Sequence, residues 1–170
     1  AKVVAFAHAE TSTGVRSDAE TLCRLAKSAG MLVIMDAVTS LAGIDLKADA
    51  WGADVVYSGT QKCLSGLPGI SPITFSDDAV SAIQARTQKV QSWFLDMNLI
   101  MGYWGEGAKR AYHHTAPVNA IYGLHEALLM LEEESLEASI ARHQDNHVTL
   151  AAGLSKLGLD LAVSEPWRLP

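Results

Sequence analysis

The sequence predicts an α/β fold whose sheet is mostly parallel. Three short apolar runs, at residues 3–7, 31–35 and 52–59, are separated by a helical pattern and a crossover segment. Each run is short and continuous, as is typical of strands buried on both faces. Strand, helix, strand, crossover and strand in this order favour parallel pairing.

The first helix is predicted between the first two strands. Ser17 and Glu20 have the spacing of a capping box at its start, and Gly30 follows its last apolar residue. The segment before it, residues 8–14 (HAETSTG), is polar and is expected to be a loop.

A fourth strand is predicted at residues 69–76 (GISPITFS). Pro72 lacks a backbone N–H, which places this strand at an edge or a bulge of the sheet. Ser76 and the next residue then begin a short helix that runs to Ile83.

The stretch at residues 87–110 is rich in aromatic residues and methionine. It is interpreted as core packing with a connecting loop, and alternatively as a pocket wall or a subunit contact. Pro117 is expected in the first turn of a helix that reaches about Leu131. A last helix is predicted over residues 136–157, ended by Gly158.

Composition and charge exclude several classes of partner. The net charge is −6, the pI is about 5.4, and Lys and Arg form no cluster, so nucleic acid is not expected. No apolar run approaches the roughly 18 residues of a membrane span. Two cysteines do not make a disulfide framework, so a reducing cytoplasmic location is expected.

Polar residues follow three of the predicted strands, at 8–14, 36–40 and 58–62. The carboxyl ends of parallel strands meet at one edge of a sheet, where ligands bind. Asp36 and Lys62 would therefore meet there with a hydroxyl-rich loop. Alternatively, Asp36 caps a turn and Lys62 points at solvent.

A partly desolvated lysine at such an edge is a competent amine nucleophile that can form an imine. Pyridoxal 5′-phosphate (PLP) requires such a lysine, together with a carboxylate that keeps its pyridine nitrogen charged. Val38 is small and apolar, and suits either one face of a flat ring or ordinary packing. Thr115 is expected to be the N-cap of the helix near Pro117, where an anion could bind or the hydroxyl could only cap.

Two histidine pairs are candidate metal ligands. His113 and His114 are adjacent, so their side chains diverge, and no third ligand is evident. His143 and His147 lie in a helical stripe with Leu136, Ile140, Leu150, Leu154 and Leu157, which favours packing. No metal site is expected.

Four segments together resemble a known family. They are HAETSTGV, MDAVTSLAG, GADVVYSGTQKCLSGLPGISPITFS and YHHTAPVNAIYGLHEAL. In order and spacing they are similar to the class V, fold-type I PLP-dependent aminotransferases, most closely the alanine–glyoxylate/serine–pyruvate group. The resemblance implies the three-layer large domain of that fold, with PLP as cofactor.

The resemblance also implies roles for individual residues. Lys62 would be the Schiff-base lysine and proton carrier, and Asp36 the partner of the pyridinium nitrogen. Thr11 stands where the family often has a serine that contacts the 3-oxygen. Val38 would back the ring and Gln61 contact the phosphate. Tyr112 and Thr115 match residues that reach the phosphate from the other subunit of a homodimer.

The chain enters on a strand pattern without an initiating Met and stops at EPWRLP. We therefore expect a central part of a longer chain, with a fold incomplete at both ends. Residues 1–160 would belong to the PLP-binding large domain and 161–170 would begin a small domain. The substrate-binding arginine and the ring-stacking aromatic would lie outside, so this segment alone is expected to be inactive.

The resemblance implies transamination between alanine or serine and glyoxylate or pyruvate. Ureidoglycine–glyoxylate aminotransferases share the TQKCL pattern but typically have Asn at the position of Tyr112. Cysteine desulfurases usually have His where this chain has Gln61, and Cys63 is not placed as their mobile cysteine. A non-catalytic dimerisation module and a Schiff-base lyase without PLP are further alternatives.

Overall fold

The computed structural model describes residues 1–104 and 111–170. Its centre is a four-stranded sheet in the order β1-β4-β5-β6, beside a separate two-stranded hairpin. The strands are β1 (Val3–Ala7), β2 (Ala9–Glu10), β3 (Val15–Arg16), β4 (Leu32–Asp36), β5 (Val55–Tyr57) and β6 (Ile73–Phe75). The predicted α/β class is confirmed, and so is the mostly parallel sheet.

The register of the sheet places three strand ends side by side. β1 pairs with β4 in parallel, and Ala7 lies opposite Asp36. β4 pairs with β5 in parallel, and Asp36 lies opposite Tyr57. β6 runs antiparallel to β5 at the edge, as predicted from Pro72, which cannot donate to a ladder.

Helices lie on both sides of this sheet. They are α1 (Ala19–Ser28), α2 (Ala48–Trp51), α3 (Asp77–Gln84), α4 (Met97–Trp104), α5 (Val118–Glu134) and α6 (Leu136–Lys156), followed by a 3-10 turn at Glu165–Trp167. One sheet face, with Val33, Met35 and Val56, packs on α1. The other face borders an open apolar groove lined in part by α3 and α4.

The start of α1 differs from the predicted capping box. Asp18 is the N-cap, and its carboxylate accepts the Thr21 N–H at 3.1 Å. Ser17 instead donates its hydroxyl to the Ala7 carbonyl at 2.8 Å. Because the Ser17 hydroxyl is hydrogen-bonded to β1, it does not cap the helix. The carboxylate of Asp18, one residue later, caps it instead. Ser76 does cap α3, as predicted.

Residues 8–14 are not simply a loop, because β2 and β3 form a short antiparallel hairpin around the turn that they enclose. The segment that contains Arg168 and Leu169 packs against this hairpin. Arg168 forms a β-bridge with Val15, and the Leu169 N–H donates to the Gly14 carbonyl at 2.8 Å. Two such short strands are below the length that sequence periodicity detects.

A buried ion pair joins α1 to the sheet. Lys27 donates to Asp54 at 2.8 Å, and Asp54 also accepts from the Val33 N–H and the Ser76 hydroxyl, each at 2.8 Å. Asp54 is almost wholly buried. Burial opposes its charge, but the Lys27 hydrogen bond and the two further donors outweigh it and lower the pKa of Asp54.

The stretch interpreted as core packing is largely a surface. Residues 97–104 form helix α4, and Trp93, Phe94 and Trp104 are exposed in this chain. Residues 105–110, the end of that predicted stretch, lie outside the described residues. Among the described residues, no helix is long and apolar enough to cross a membrane.

The two long helices follow the prediction in extent, and Gly158, with φ 75°, ends α6 as predicted, but the start of α5 and the packing of α6 differ. Pro117 is the N-cap of α5, and Thr115 lies two residues before it, so the predicted Thr115 cap is wrong. Leu136, Leu150 and Leu157 of the predicted α6 stripe are exposed. His143 is half-buried, and its Nδ1 is 2.7 Å from the Ser139 carbonyl oxygen.

Candidate active site

Asp36 ends strand β4 with both carboxylate oxygens engaged. The Val38 backbone N–H donates to Oδ1 at 2.8 Å. The Tyr57 hydroxyl donates to Oδ2 at 2.8 Å, because Tyr57 is the residue opposite Asp36 in the parallel register. A carboxylate still has acceptor capacity beyond these two bonds. Asp36 is therefore a fixed, charged acceptor at the edge of the sheet.

The Tyr57 phenol remains a donor across the neutral pH range. Its hydrogen bond to Asp36 raises the pKa of the phenol above its ordinary value, with smaller contributions from burial and from the Asp36 charge. Ionising the phenol would place two negative charges in contact, so protonated Tyr57 and ionised Asp36 stabilise one another.

The three strand ends are also joined by backbone hydrogen bonds. The His8 N–H donates to the Asp36 carbonyl at 2.9 Å, and the Ala37 N–H to the Tyr57 carbonyl at 2.8 Å. The Ser58 hydroxyl donates to the Ala37 carbonyl at 3.0 Å. The predicted convergence of the segments after the three strands is confirmed.

The loop that carries Lys62 is anchored by Thr60. The Thr60 side chain is buried and hydrogen-bonds to the carbonyls of Leu67 and Ile70. Its own carbonyl accepts the Gly66 N–H at 2.8 Å, which closes residues 60–66 into a compact turn. A rigid turn thus holds the lysine beyond the end of β5.

Lys62 itself is exposed, whereas partial desolvation was expected. Within the described part of the chain, its amine forms no hydrogen bond or ion pair. The exposure differs from this expectation because no described segment covers the side chain. The alternative interpretation is that Asp36 caps a turn and Lys62 points at solvent. The structure agrees with it in part, because Asp36 accepts the Val38 N–H and Lys62 is exposed.

Gln61 and Val38 border a gap beside Gly59. A Cβ added at Gly59 would lie 3.0 Å from Gln61 Oε1 and 3.6 Å from Val38 Cγ1. The Gln61 amide is therefore folded back beside Val38. This places an amide and a small apolar side chain together, close in sequence to both Asp36 and Lys62.

Thr11 lies in the turn between β2 and β3 and is exposed. Its hydroxyl forms no hydrogen bond with any residue that the structure describes. The Thr39 hydroxyl donates to the Ala9 carbonyl at 2.9 Å, which ties this hairpin to the segment after Asp36.

Tyr112 and Thr115 form a separate hydroxyl pair. The two hydroxyl oxygens are 2.7 Å apart, and both side chains are exposed, Tyr112 to 72%. In the described ranges, no hydrogen bond connects them to the strand-end residues. The predicted site residues therefore fall into two groups within this chain.

His113 anchors the segment that carries this pair. It is 3% exposed, stacks on Trp93 with ring centroids 4.0 Å apart, and its Nε2 is 3.0 Å from the Trp93 carbonyl oxygen. A carbonyl only accepts, so Nε2 must donate. In neutral His113, Nδ1 then accepts from His114 Nδ1–H at 2.7 Å. Both histidines are used within the segment.

No group of three or more potential metal ligands occurs among residues 1–104 and 111–170. Cys63 is half-buried, and burial raises the pKa of its thiol. A Cβ at Gly43 would lie 2.7 Å from Cys63 Sγ, so the neighbouring loop packs directly on the sulfur. This cysteine is a packing residue.

Three residues with clear roles were missed in the sequence. Tyr57, Thr60 and His113 fix Asp36, the Lys62 turn and the Tyr112–Thr115 segment, respectively. Tyr57 could have been found by aligning the predicted ends of β4 and β5. The partners of Thr60 and His113 are loop carbonyls, which leave no sequence signal.

The fold, an α/β sheet with Asp36 and Lys62 beyond adjacent parallel strands, is that of the fold-type I aminotransferases among the solved structures. The chain belongs to the class-V aminotransferase family, whose model, "Aminotransferase class-V", matches residues 1–165.

Specific relatives agree with this assignment. The alanine–glyoxylate aminotransferase of Oryctolagus cuniculus is 43% identical over 165 residues, covering 96% of this chain and 42% of that protein. The crystal structure of an alanine–glyoxylate aminotransferase from Nostoc sp. has a TM-score of 0.95 and 46% identity, covering 99% of this chain and 44% of the other. The ureidoglycine–glyoxylate aminotransferase of Bacillus subtilis has a TM-score of 0.94 and 35% identity, covering 99% and 43%. The chain thus spans a little over two fifths of the length of these relatives.

Proposed function

We propose that the whole protein is a PLP-dependent aminotransferase that moves an amino group between alanine or serine and glyoxylate or pyruvate. The observation that carries this proposal is the fixed Asp36 carboxylate at the end of β4, beside the strand that leads into the Lys62 turn. Family membership and the names of the relatives support the same activity.

The donor set fits PLP. Asp36 offers a charged acceptor for a ring nitrogen, and Lys62 offers an amine with no ion-pair partner in the described chain. The gap at Gly59 places the Gln61 amide beside Val38, which suits a phosphate oxygen next to an apolar ring face. Nothing in this arrangement requires a metal.

The residues would divide the cofactor among them. Asp36 would hold the ring nitrogen, Lys62 the aldehyde carbon, Val38 one ring face, Thr11 the 3-oxygen and Gln61 the phosphate. When bound, PLP supplies an electron sink for the charge left when a proton leaves the substrate α-carbon.

Lys62 Nζ is the group that can take and return that proton. Its turn is held by the buried Thr60 side chain, which fixes the backbone on which the amine pivots. The long flexible side chain lets Nζ reach different atoms from one anchor. A lysine that both binds the cofactor and transfers a proton needs a fixed backbone and a mobile amine.

Glyoxylate is the favoured acceptor, because it appears in the names of both kinds of relative, the alanine–glyoxylate and the ureidoglycine–glyoxylate enzymes. Ureidoglycine as donor is the second candidate, favoured by the TM-score of 0.94 with the Bacillus subtilis enzyme. Tyr112, where that group typically has Asn, favours alanine or serine.

We also propose a homodimer with shared active sites. The Tyr112–Thr115 hydroxyl pair is exposed and separate from the strand-end residues of its own chain. Exposed Trp93, Phe94 and Trp104 lie in the stretch that leads into it and offer apolar surface for a second copy. The pair would complete the phosphate site of the opposite subunit.

Lys62→Ala in the full-length protein tests the proposal. Turnover should fall by at least about 10³-fold, because the variant lacks the amine that would take and return the proton. Lys47→Ala is the matched control, since Lys47 is exposed and pairs only with Asp45 at 3.0 Å, a kind of pair that contributes little. Near-normal turnover of the Lys62 variant would refute the role of this lysine.

Donor choice is tested separately on the unmodified protein. Alanine, serine and ureidoglycine are each offered with glyoxylate, and kcat/KM is compared. A clear preference for ureidoglycine would replace the alanine or serine proposal while leaving transamination intact.

A further inference from the structure

The phenol of Tyr57 has no part in the residue roles described above, yet it contacts the central acid directly. Its hydroxyl donates to Asp36 Oδ2 at 2.8 Å, and the ring is half-buried between the ends of β4 and β5. Since Val38 N–H already holds Oδ1, the phenol fixes the second oxygen and with it the plane of the carboxylate.

We propose that Tyr57 is a positioning residue that orients Asp36 and keeps it an acceptor for a cationic ring N–H. The inference rests on the proposed function and deepens it. Two donors, one on each oxygen, leave fewer lone-pair directions open to a third donor. Because the phenol and the Val38 N–H both donate, both oxygens of Asp36 act as acceptors.

The fold supports this role over simple packing. Asp36 and Tyr57 are opposite each other in a parallel register that is fixed on both sides, by β1 and by β6. The Ala37 N–H to Tyr57 carbonyl bond lies directly beyond the pair. The phenol therefore reaches Asp36 from a backbone that has little freedom to shift.

The test compares two cofactors in the full-length apo protein. One is PLP, and the other is 1-deazapyridoxal 5′-phosphate, which has C–H in place of the ring nitrogen and keeps the aldehyde and phosphate. Dissociation constants are measured for the wild type, Tyr57→Phe and Asp36→Asn. Tyr122→Phe is the control, because Tyr122 is exposed on α5 and away from the strand ends.

Tyr57→Phe should weaken PLP binding by about tenfold, the loss expected for one hydrogen bond to a charged group. Binding of the deaza analogue should change less than about twofold, because no ring nitrogen is present to meet Asp36. In the double variant Tyr57→Phe/Asp36→Asn, PLP binding should be no weaker than in Asp36→Asn alone. Equal losses for both cofactors, or no loss for PLP, would overturn the positioning role.

A second readout does not depend on the fold of the Phe variant or on any cofactor. The tyrosine phenols of the apo protein are titrated by the NMR shift of labelled Cζ. In the wild type, the Tyr57 phenol should titrate above its ordinary range, and Asp36→Asn should return it towards that range. A Tyr57 titration unmoved by Asp36→Asn would also overturn the inference.

These outcomes separate the two proposals. If the wild type and Asp36→Asn bind both cofactors alike, the proposed function of Asp36 fails. If Asp36→Asn selectively loses PLP while Tyr57→Phe does not, the proposed function stands and only the role of Tyr57 is wrong.

Discussion

The two groups of proposed site residues are held in different ways. Asp36 and the Lys62 turn are fixed by the backbone register of parallel strands and by buried side chains such as Thr60. The Tyr112–Thr115 segment has no regular secondary structure and depends on the stacked, buried side chain of His113. The strand-end group is connected through hydrogen bonds within one chain, whereas the Tyr112–Thr115 pair is exposed.

A buried histidine lies close in sequence to each group, and the two histidines differ in their hydrogen bonding. His8, after β1, lies edge-on to Trp51 and leaves Nδ1 without a partner within the described part of the chain. His113 has both ring nitrogens hydrogen-bonded. The contrast suggests that acid should damage the strand-end region through His8.

After Lys62→Ala, the largest effect is expected from Asp36→Asn. A neutral amide no longer keeps a ring nitrogen protonated, so kcat should fall by roughly 10²- to 10³-fold while PLP still binds. Steady-state kinetics at saturating PLP measure this change. Asp45→Asn is the control, because Asp45 is an exposed carboxylate whose ion pair, among the described residues, is with Lys47. Retained turnover in Asp36→Asn would show that the strand-end group is not the chemical one.

Sequence reasoning located the strand-end group well for a physical reason. Strand ends are marked by local changes from apolar to polar residues, so Asp36, Lys62 and their shared edge could be placed from the pattern alone. The exposure of Lys62 could not, because it depends on what covers the turn. The contact of His113 with Trp93, 20 residues earlier, is equally invisible to local patterns.

The N-caps of α1 and α5 differ from the predictions for a similar reason. The cap of α1 moved from Ser17 to Asp18 because Ser17 had a tertiary partner, the Ala7 carbonyl. Thr115 lost its expected capping role because the chain at Pro117 enters α5 without a side-chain cap. Caps are decided by competition among neighbouring donors and acceptors, which the residue types do not rank.

A smaller effect is expected from acid acting on His8. Burial, with the nearby Arg16 charge, lowers the pKa of His8 from 6.5 to about 4, against a weaker opposing effect of Asp45. The folded state therefore binds this proton less readily than the unfolded state. Its contribution is fully present above pH 6.5 and is lost as pH falls towards 4, by up to about 3 kcal/mol.

Urea unfolding of the wild type and His8→Gln at several pH values between 7 and 4 measures this contribution. Other acidic groups, such as Asp54, also weaken the fold in acid, so the difference between the two proteins isolates His8. The His8→Gln curve should be flatter over this range. Parallel curves for the two proteins would mean that His8 gains its proton without cost to the fold.

The smallest effect per residue is expected in the second group, and it separates a shared site from a local one. Thr115→Val removes a hydroxyl and keeps the shape, so PLP binding should weaken by about 1–2 kcal/mol. Tyr112→Phe removes the other member of the pair, whose oxygens are 2.7 Å apart. Together the two changes should make activity negligible at limiting PLP, without altering Asp36 or Lys62.

Mixing this double variant with Lys62→Ala then tests which chain the hydroxyls serve. If each site takes its lysine from one subunit and its hydroxyls from the other, a hybrid dimer has one site with both defects and one with neither. Activity should therefore partly recover as the subunits exchange. The exchange itself is measured independently with a mass-tagged subunit. If exchange is complete and activity does not return, Tyr112 and Thr115 act within their own chain. The two groups of residues would then form one site whose parts are brought together without a second subunit.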